Sequence, residues 1–439
     1  MRYLSTRGAS PPCSLGEAIA RGLAPDGGLY VPETLPRAEL AAPRAPEPSA
    51  ELPSLADFAR GFLAPFFEGD ALAPELRAIC DEALCFDTPL VPVPRAPERL
   101  SVLELFHGPT SAFKDVGARF LAACLARQPR PGPLTVLVAT SGDTGGAVAA
   151  AFHGRPHMRV VVLYPKGLVS ARQRQQLACW GGNVSTLAVR GTFDDCQRMV
   201  KGAFADPALR ARLELSSANS INVGRLLPQA AYYARAAHEV FTREGVRPSF
   251  VVPSGNLGNA LACVWARAAG APIGELVLAT NANAVVPNFL HTGRYEPRPS
   301  VATLASAMDV GDPSNLERLR HRAPGPEALA VEIAAADAVD DDAIRLRIGR
   351  AARELDHVFC PHTAAAAEVY ARLPEARRAA TRWVIVSTAH PAKFETVVEP
   401  LVGHAVEVPE PLARLLDRTP VEREIDATLD ELRAALEVG

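Results

Sequence analysis

From about residue 100 onward, short apolar runs rich in β-branched residues alternate with segments of helical spacing, and this alternation constrains the fold most. SVLELF (101–106), LTVLVAT (134–140), VVVLY (160–164), VSTLAV (184–189), FVVP (250–253) and RWVIVST (382–388) read as buried strands. Between them, AFKDVGARFLAACLARQ and AVAAAFHG have the spacing and length of helices. Alternating strands and helices build a mostly parallel sheet covered on both faces, because each parallel crossover lays a helix against the sheet. The expected fold class is α/β. In such sheets ligands bind at the carboxyl ends of strands, where loops open helices.

Residues 1–95 differ. They are rich in Pro and Ala, with a loop-like stretch at 41–54 and helical spacing near 55–68 and 72–85. The turn Asp26-Gly27-Gly28 precedes a short strand-like LYVP, Leu29 to Pro32. The expected organisation is a small N-terminal domain over 1–95 and a larger α/β core over 96–400. A smaller α/β subdomain is inserted at about 130–220, and a helical extension covers 401–439. The acidic run Asp340-Asp341-Asp342 is expected to open a helix, where the dipole favours negative charge.

Composition excludes several classes. The chain has 439 residues, 48 % of them hydrophobic, enough for a sizeable core. A net charge of −3 argues against binding nucleic acid by phosphate neutralisation. No apolar run approaches the roughly 20 residues of a membrane helix, and the N-terminus lacks the apolar segment of a secretory signal. The eight cysteines are scattered with no CxxC pair, which suits free thiols, no metal site and a cytoplasmic location.

Four polar or Gly-rich segments follow strands. FHGPTSAFKDVG places Lys114 in the first turn of a helix. Lys and Arg together number 46, yet only four are lysines: Lys114, Lys166, Lys201 and Lys393. Arginine keeps its proton and is no amine nucleophile, so these four are the side-chain candidates for a Schiff base. An isolated lysine is usually a solvated surface group, but apolar Phe113 and an apolar helix flank Lys114. ATSGDTGGA (139–147) and PSGNLGN (253–259) are strand-to-helix turns able to present backbone N–H groups to a carboxylate or phosphate. Neither has the spacing of a P-loop or a dinucleotide fingerprint. STAHPAKF (387–394) offers hydroxyls, His390 and Lys393; a His before Pro in a turn is more often a hydrogen-bonded structural residue than a general base. SSANSINVGRLLPQ (216–229) crowds uncharged donors around Arg225, as anion recognition or as a capped helix start.

Taken in order, YLSTRG (3–8), GLAPDGGLYVPETLP (22–36), ELFHGPTSAFKD, ATSGDTG, SANSIN, VPSGNLGN, SAMDV (306–310) and STAHPAKF resemble the signatures of threonine synthase. That family uses pyridoxal 5'-phosphate and belongs to the tryptophan-synthase-β fold group. The long N-terminal segment is similar to the branch independent of an allosteric activator. The resemblance implies fold type II, with two parallel-sheet α/β domains holding the cofactor between them and a small N-terminal domain. It implies Lys114 as the Schiff-base lysine and Ser254, Gly255, Asn256, Leu257, Gly258 and Asn259 as the cofactor-phosphate loop. Thr388 becomes the hydroxyl partner of the pyridine nitrogen. Ser141, Asp143 and Thr144 resemble the family's loop around the substrate carboxylate and, through Asp143, the cofactor ring oxygen. Asn219, Ser220 and Arg225 resemble the family's pocket for the substrate phosphate. Asn259 and Gly146 depart from the family pattern, where Asp and Ala are expected.

The implied reaction converts O-phospho-L-homoserine and water to L-threonine and phosphate, with no nucleic acid or membrane partner, in a monomer or homodimer. A phospholyase or a serine/threonine dehydratase of the same fold is the nearest alternative. A non-catalytic ligand-binding relative is the alternative from another class.

Overall fold

The computed structural model describes residues 1–40, 52–96, 99–130, 132–140 and 142–437. In chain order its strands are β1 (Tyr3–Ser5), β2 (Tyr30–Pro32), β3 (Leu90–Pro92), β4 (Leu100–Glu104), β5 (Leu134–Ala139), β6 (Met158–Pro165) and β7 (Val184–Arg190). They continue as β8 (Glu214–Ser217), β9 (Ser249–Pro253), β10 (Leu276–Thr280), β11 (Ala335–Ala338), β12 (Trp383–Ser387) and β13 (Arg423–Asp426).

These strands form two large sheets, ordered β11-β10-β9-β12-β4-β3 and β13-β7-β6-β5-β8, and a small β1-β2 ribbon. Pairing in the large sheets is parallel except between β3 and β4. The central strands are buried on both faces, which is why they read as continuous apolar runs rather than alternating ones. The β5–β8 sheet draws on residues 134–217, within the segment expected to form the inserted subdomain.

Two features differ from expectation. The 401–439 segment, expected to be a helical extension, does hold helices Glu410–Leu416 and Leu429–Glu437, but β13 lies between them and joins β7. As an edge strand it buries Ile425 alone and exposes Arg423, Glu424 and Asp426, so no apolar alternation announces it. Residues 90–92, placed with the N-terminal domain, enter the six-stranded sheet as β3. Residues 41–51 of the loop-like stretch lie outside the described residues.

The N-terminal segment shares the main core. Tyr3, Phe62, Phe66 and Phe67 are buried in the same apolar cluster as the helices Lys114–Ala126 and Val223–Glu244, and Phe67 meets Phe120 edge-on at 6.1 Å. Those two helices cross closely at Gly117. A Cβ there would stand 2.7 Å from the Arg225 carbonyl oxygen, so glycine fixes how near the Lys114 helix comes to Arg225. Asp340 caps the helix Asp341–Arg350 through a bond from the Ala343 N–H, as the acidic run implied.

Candidate active site

Lys114 is the first residue of its helix, at the end of a loop leaving β4. The loop is laced to the segment after β12: the Phe113 N–H donates to the Thr388 carbonyl at 2.8 Å and the His390 N–H to the Ser111 carbonyl at 3.0 Å. Ser111 takes the left-handed conformation, φ 53°. Next to the lysine, Asp115 turns inward and is fully buried, accepting the Thr110 N–H (2.8 Å) and hydroxyl (2.7 Å). A Cβ at Gly108 would come within 2.6 Å of that carboxylate, so the Gly-Pro turn folds around it. In the pair Lys114-Asp115, the acid shapes the loop and the amine is left free.

The Lys114 ammonium is half-buried, 4.5 Å from the Phe113 ring centroid, with no hydrogen-bond or ion-pair partner among the described residues. Burial, and then the Arg225 charge, push its pKa down to about 8, against the pull of Asp143. Only the neutral amine attacks a carbonyl. Since the lowered pKa brings that form into reach, aldehyde capture by the apo-protein is expected to accelerate from pH 6.5 to about 8 and then level off. Stopped-flow absorbance with an aldehyde cofactor checks this; a rate still climbing steeply at pH 10 would indicate an unshifted amine.

The other lysines have different surroundings. Lys393 is fully buried, its Nζ 2.8 Å from Asp143 Oδ1 and 2.8 Å from the Thr110 carbonyl oxygen. Lys166 is exposed and pairs with Glu424, and Lys201 is exposed on the helix Phe193–Ala205. His390 accepts the Ala392 N–H on Nδ1 at 3.2 Å and meets Phe106 edge-on, a structural cap.

Asp143 opens the helix after β5, behind Gly142 at φ 140°. Burial raises its carboxyl, but the Lys393 ammonium and a hydrogen bond from Gln173 hold it below the usual carboxylate range. Its carboxylate is thus engaged inside the fold, whereas the half-buried Thr144 hydroxyl has no partner among the described residues. Ser141 lies outside the described residues.

After β9 the chain runs through Ser254–Leu257 into the helix Gly258–Ala268. Leu257 is left-handed (φ 61°), and the helix start has no side-chain cap. The N–H groups of Gly255, Asn256 and Leu257 meet no acceptor among the described residues. A Cβ on Gly255 would lie 2.7 Å from Met308 Cα, so the turn is closed from behind. This is an anion cradle of backbone donors. The Asn259 side chain is engaged elsewhere: its Oδ1 accepts the hydroxyls of Tyr232 (2.5 Å) and Tyr233 (2.9 Å), and its buried Nδ2 has no partner among the described residues.

Beside the cradle, Asn256 donates to Ser220 Oγ at 2.7 Å, and Asn219 donates to the Ala139 carbonyl at 2.9 Å. Asn222 caps the helix that carries Arg225. Arg225 is buried and bonded through Nη1 to the Ala218 carbonyl, its Nε has no partner among the described residues, and burial pushes its guanidinium down to about 10. The Thr388 hydroxyl, at the end of β12, has no partner among the described residues and its residue is buried. A cleft of about 980 Å³, lined in part by Asn219, Asn256, Arg7, Lys201 and Arg320, opens onto this region. Among the described residues there is no His/Cys/Asp/Glu cluster able to hold a metal, and no helix long and apolar enough to cross a membrane.

Four contributors escape a sequence reading. His362 accepts the Ala307 N–H on Nε2 at 3.1 Å, and its pKa is pushed down to about 4 by burial, so it stays neutral. Gln173 binds Asp143, Arg318 donates to the Ser220 carbonyl and Asn315 to the Asn256 carbonyl. Each sits in an ordinary helical context, and only the tertiary contacts reveal it.

Residues 82–389 match the family model described as pyridoxal-phosphate dependent enzyme, the class that two parallel sheets around a free lysine and an anion cradle define. Residues 2–84 match the threonine synthase N terminus, and 363–436 the C-terminal threonine synthase model. The threonine synthase of Haemophilus influenzae is 37 % identical over 426 residues, 96 % of each chain. The crystal structure of the Escherichia coli threonine synthase superposes with a TM-score of 0.86 at 34 % identity over 100 % of both chains. A PLP-bound threonine synthase from Brucella melitensis gives 0.87 at 33 %, covering 100 % of this chain and 99 % of the other. The chain belongs to the threonine synthase family.

Proposed function

We propose that this protein converts O-phospho-L-homoserine and water to L-threonine and phosphate, using pyridoxal 5'-phosphate held through Lys114. The observation that carries the reading is one free, half-buried amine with two anion-binding loops beside it, one behind Ser254–Gly258 and one around Ser220 and Arg225. A dehydratase acting on an unphosphorylated amino acid needs only the first.

The residues present fit the cofactor. The unpaired N–H groups of 255–257 and the Ser254 hydroxyl suit its phosphate, Lys114 its aldehyde, and the Thr388 hydroxyl its ring nitrogen. When bound, pyridoxal phosphate supplies the electron sink that delocalises negative charge from the substrate carbons. Lys114 Nζ would then take protons from Cα and Cβ and return them to Cγ, once the phosphate has left it, and to Cα, a role its lowered pKa suits. Thr388 would meet the ring nitrogen with a neutral hydroxyl rather than an acid, which would make the bound ring a weaker electron sink. Thr144 and the backbone donors at the head of the Asp143–Phe152 helix orient the carboxylate. Asn219, Ser220 and Arg225 stabilise charge gathering on the departing phosphate. Water adds at Cβ, and Lys114 releases the product.

Every residue assigned to the site comes from one chain, which suits a monomer or homodimer. Free thiols at the eight cysteines suit a reducing compartment, and we place the protein in the cytoplasm. With phosphohomoserine supplied, threonine is expected to outweigh 2-oxobutyrate among the products by about tenfold, since phosphate stabilisation and water addition share one cavity. Chromatography of the reaction checks this; mainly oxo acid would identify a phospholyase, and no yellow absorbance after added cofactor a non-catalytic relative.

A further inference from the structure

Arg318 sits in the short helix Leu316–Arg322, whose sequence LERLRHR reads as a charged surface turn, yet its side chain is fully buried. No carboxylate lies within ion-pair distance of it among the described residues. Burial pushes the guanidinium down to about 9, so it is still charged at neutral pH. Its donors are spent on neutral acceptors instead. Nε reaches the Tyr30 carbonyl (3.0 Å), Nη1 reaches Asn315 Oδ1 (2.7 Å) and the Ser220 carbonyl (3.4 Å), and Nη2 reaches the Ile221 carbonyl (2.6 Å). Asn315, also fully buried, passes the tie onward, its Nδ2 donating to the Asn256 carbonyl (3.0 Å) and to Ser220 Oγ (3.3 Å).

In a planar trans peptide the N–H points opposite to the carbonyl. A loop that turns N–H groups toward an anion therefore turns carbonyls inward, where each needs a donor. The peptides whose carbonyls are held at Ser220 and Asn256 carry the N–H groups of Ile221 and Leu257, and both lack acceptors among the described residues. One anion loop and then the other is thus gripped from behind by the same pair. We infer that Arg318, acting with Asn315, is a positioning residue that aims the backbone donors of the 219–222 and 254–259 loops at two phosphates, and that the N-terminal domain takes part through the Tyr30 carbonyl. This gives the N-terminal domain a chemical task besides packing, and it sets an unpaired buried cation behind both anions.

The substrate half of this inference rests on the proposed function, and the cofactor half does not. The test compares Arg318→Gln, Arg318→Lys and Asn315→Ala with the parent holoenzyme. Three quantities are measured: the Kd of pyridoxal phosphate against that of unphosphorylated pyridoxal, inhibition by inorganic phosphate, and KM against kcat. In Arg318→Gln the Kd of pyridoxal phosphate, the phosphate inhibition constant and KM are expected to rise about 10- to 100-fold, the scale of a charge-assisted hydrogen bond. Pyridoxal affinity and kcat should change by less than about threefold, and Arg318→Lys should recover part of the loss. Equal losses for pyridoxal and its phosphate, or a lower Tm with all constants unchanged, would overturn the inference. If Arg318→Gln does not fold, Asn315→Ala decides, with the same selective loss of pyridoxal phosphate expected and unchanged affinity contradicting it. A parent that makes no threonine would sink the proposed function while the cofactor comparison still stands or falls by itself.

Discussion

Lys114→Met is expected to lower kcat by about 10⁴-fold while leaving the chain at least as stable as the parent. The two halves share one cause. The ammonium is half-buried, without a partner among the described residues, and Arg225 opposes its charge. An uncompensated charge in such a place costs stability, so an apolar side chain of similar length relieves the fold as it removes the reaction's base. Steady-state assays and thermal unfolding of the apo-protein check both halves. A kcat within tenfold of the parent would move the chemistry to another residue, and a Tm several degrees lower would make Lys114 a structural group.

The second large effect belongs to Lys393. Lys393→Met removes the partner of Asp143 and a donor to the Thr110 carbonyl, all deep in the fold. Breaking one side of a buried pair leaves the other charge exposed to desolvation, and a loss of about 3–5 kcal/mol is expected. Adding Asp143→Asn should restore part of it, because an amide needs no counter-charge. The pH dependence carries a sign that distinguishes this from simple loss of packing. In the parent, the Asp143 carboxyl is held below its unfolded value, so it contributes stability above the unfolded pKa, and that contribution is lost as pH falls through the folded pKa. Without Lys393, burial is opposed only by weaker neighbours and the folded pKa rises. The variant should then become relatively more stable as pH falls through the raised value. Denaturant unfolding from pH 4 to 8 for parent, single and double variants checks the sign; parallel profiles would show that the pair does not control Asp143.

Much of this site is legible in the chain because strand-end loops are local. Lys114, the 254–259 turn and Thr388 all follow apolar runs long enough to read as strands, and parallel-sheet topology then places them at one mouth. Local reading fails where a side chain's partner is remote. Asp143 sits in a loop that looks made for a ligand, yet its carboxylate is claimed by Lys393, 250 positions away. Asn259 looks like the last residue of a phosphate loop, yet its amide faces two tyrosines on another helix. Arg318 has the surroundings of a surface arginine, and only the folded chain shows carbonyls gathered around it. Strands failed for a related reason: β8, β11 and β13 lie at or beside sheet edges, where too few apolar residues are needed to form a pattern. β10, LVLAT, is a five-residue apolar run that strand and buried-helix templates both fit.

Borohydride reduction of the holoenzyme, followed by peptide mapping, tests the central assignment most directly. The account predicts one pyridoxyl group, on Lys114, with Lys166, Lys201 and Lys393 unmodified and no label in Lys114→Met. A label on buried Lys393, or equal labelling of the exposed lysines, would contradict it.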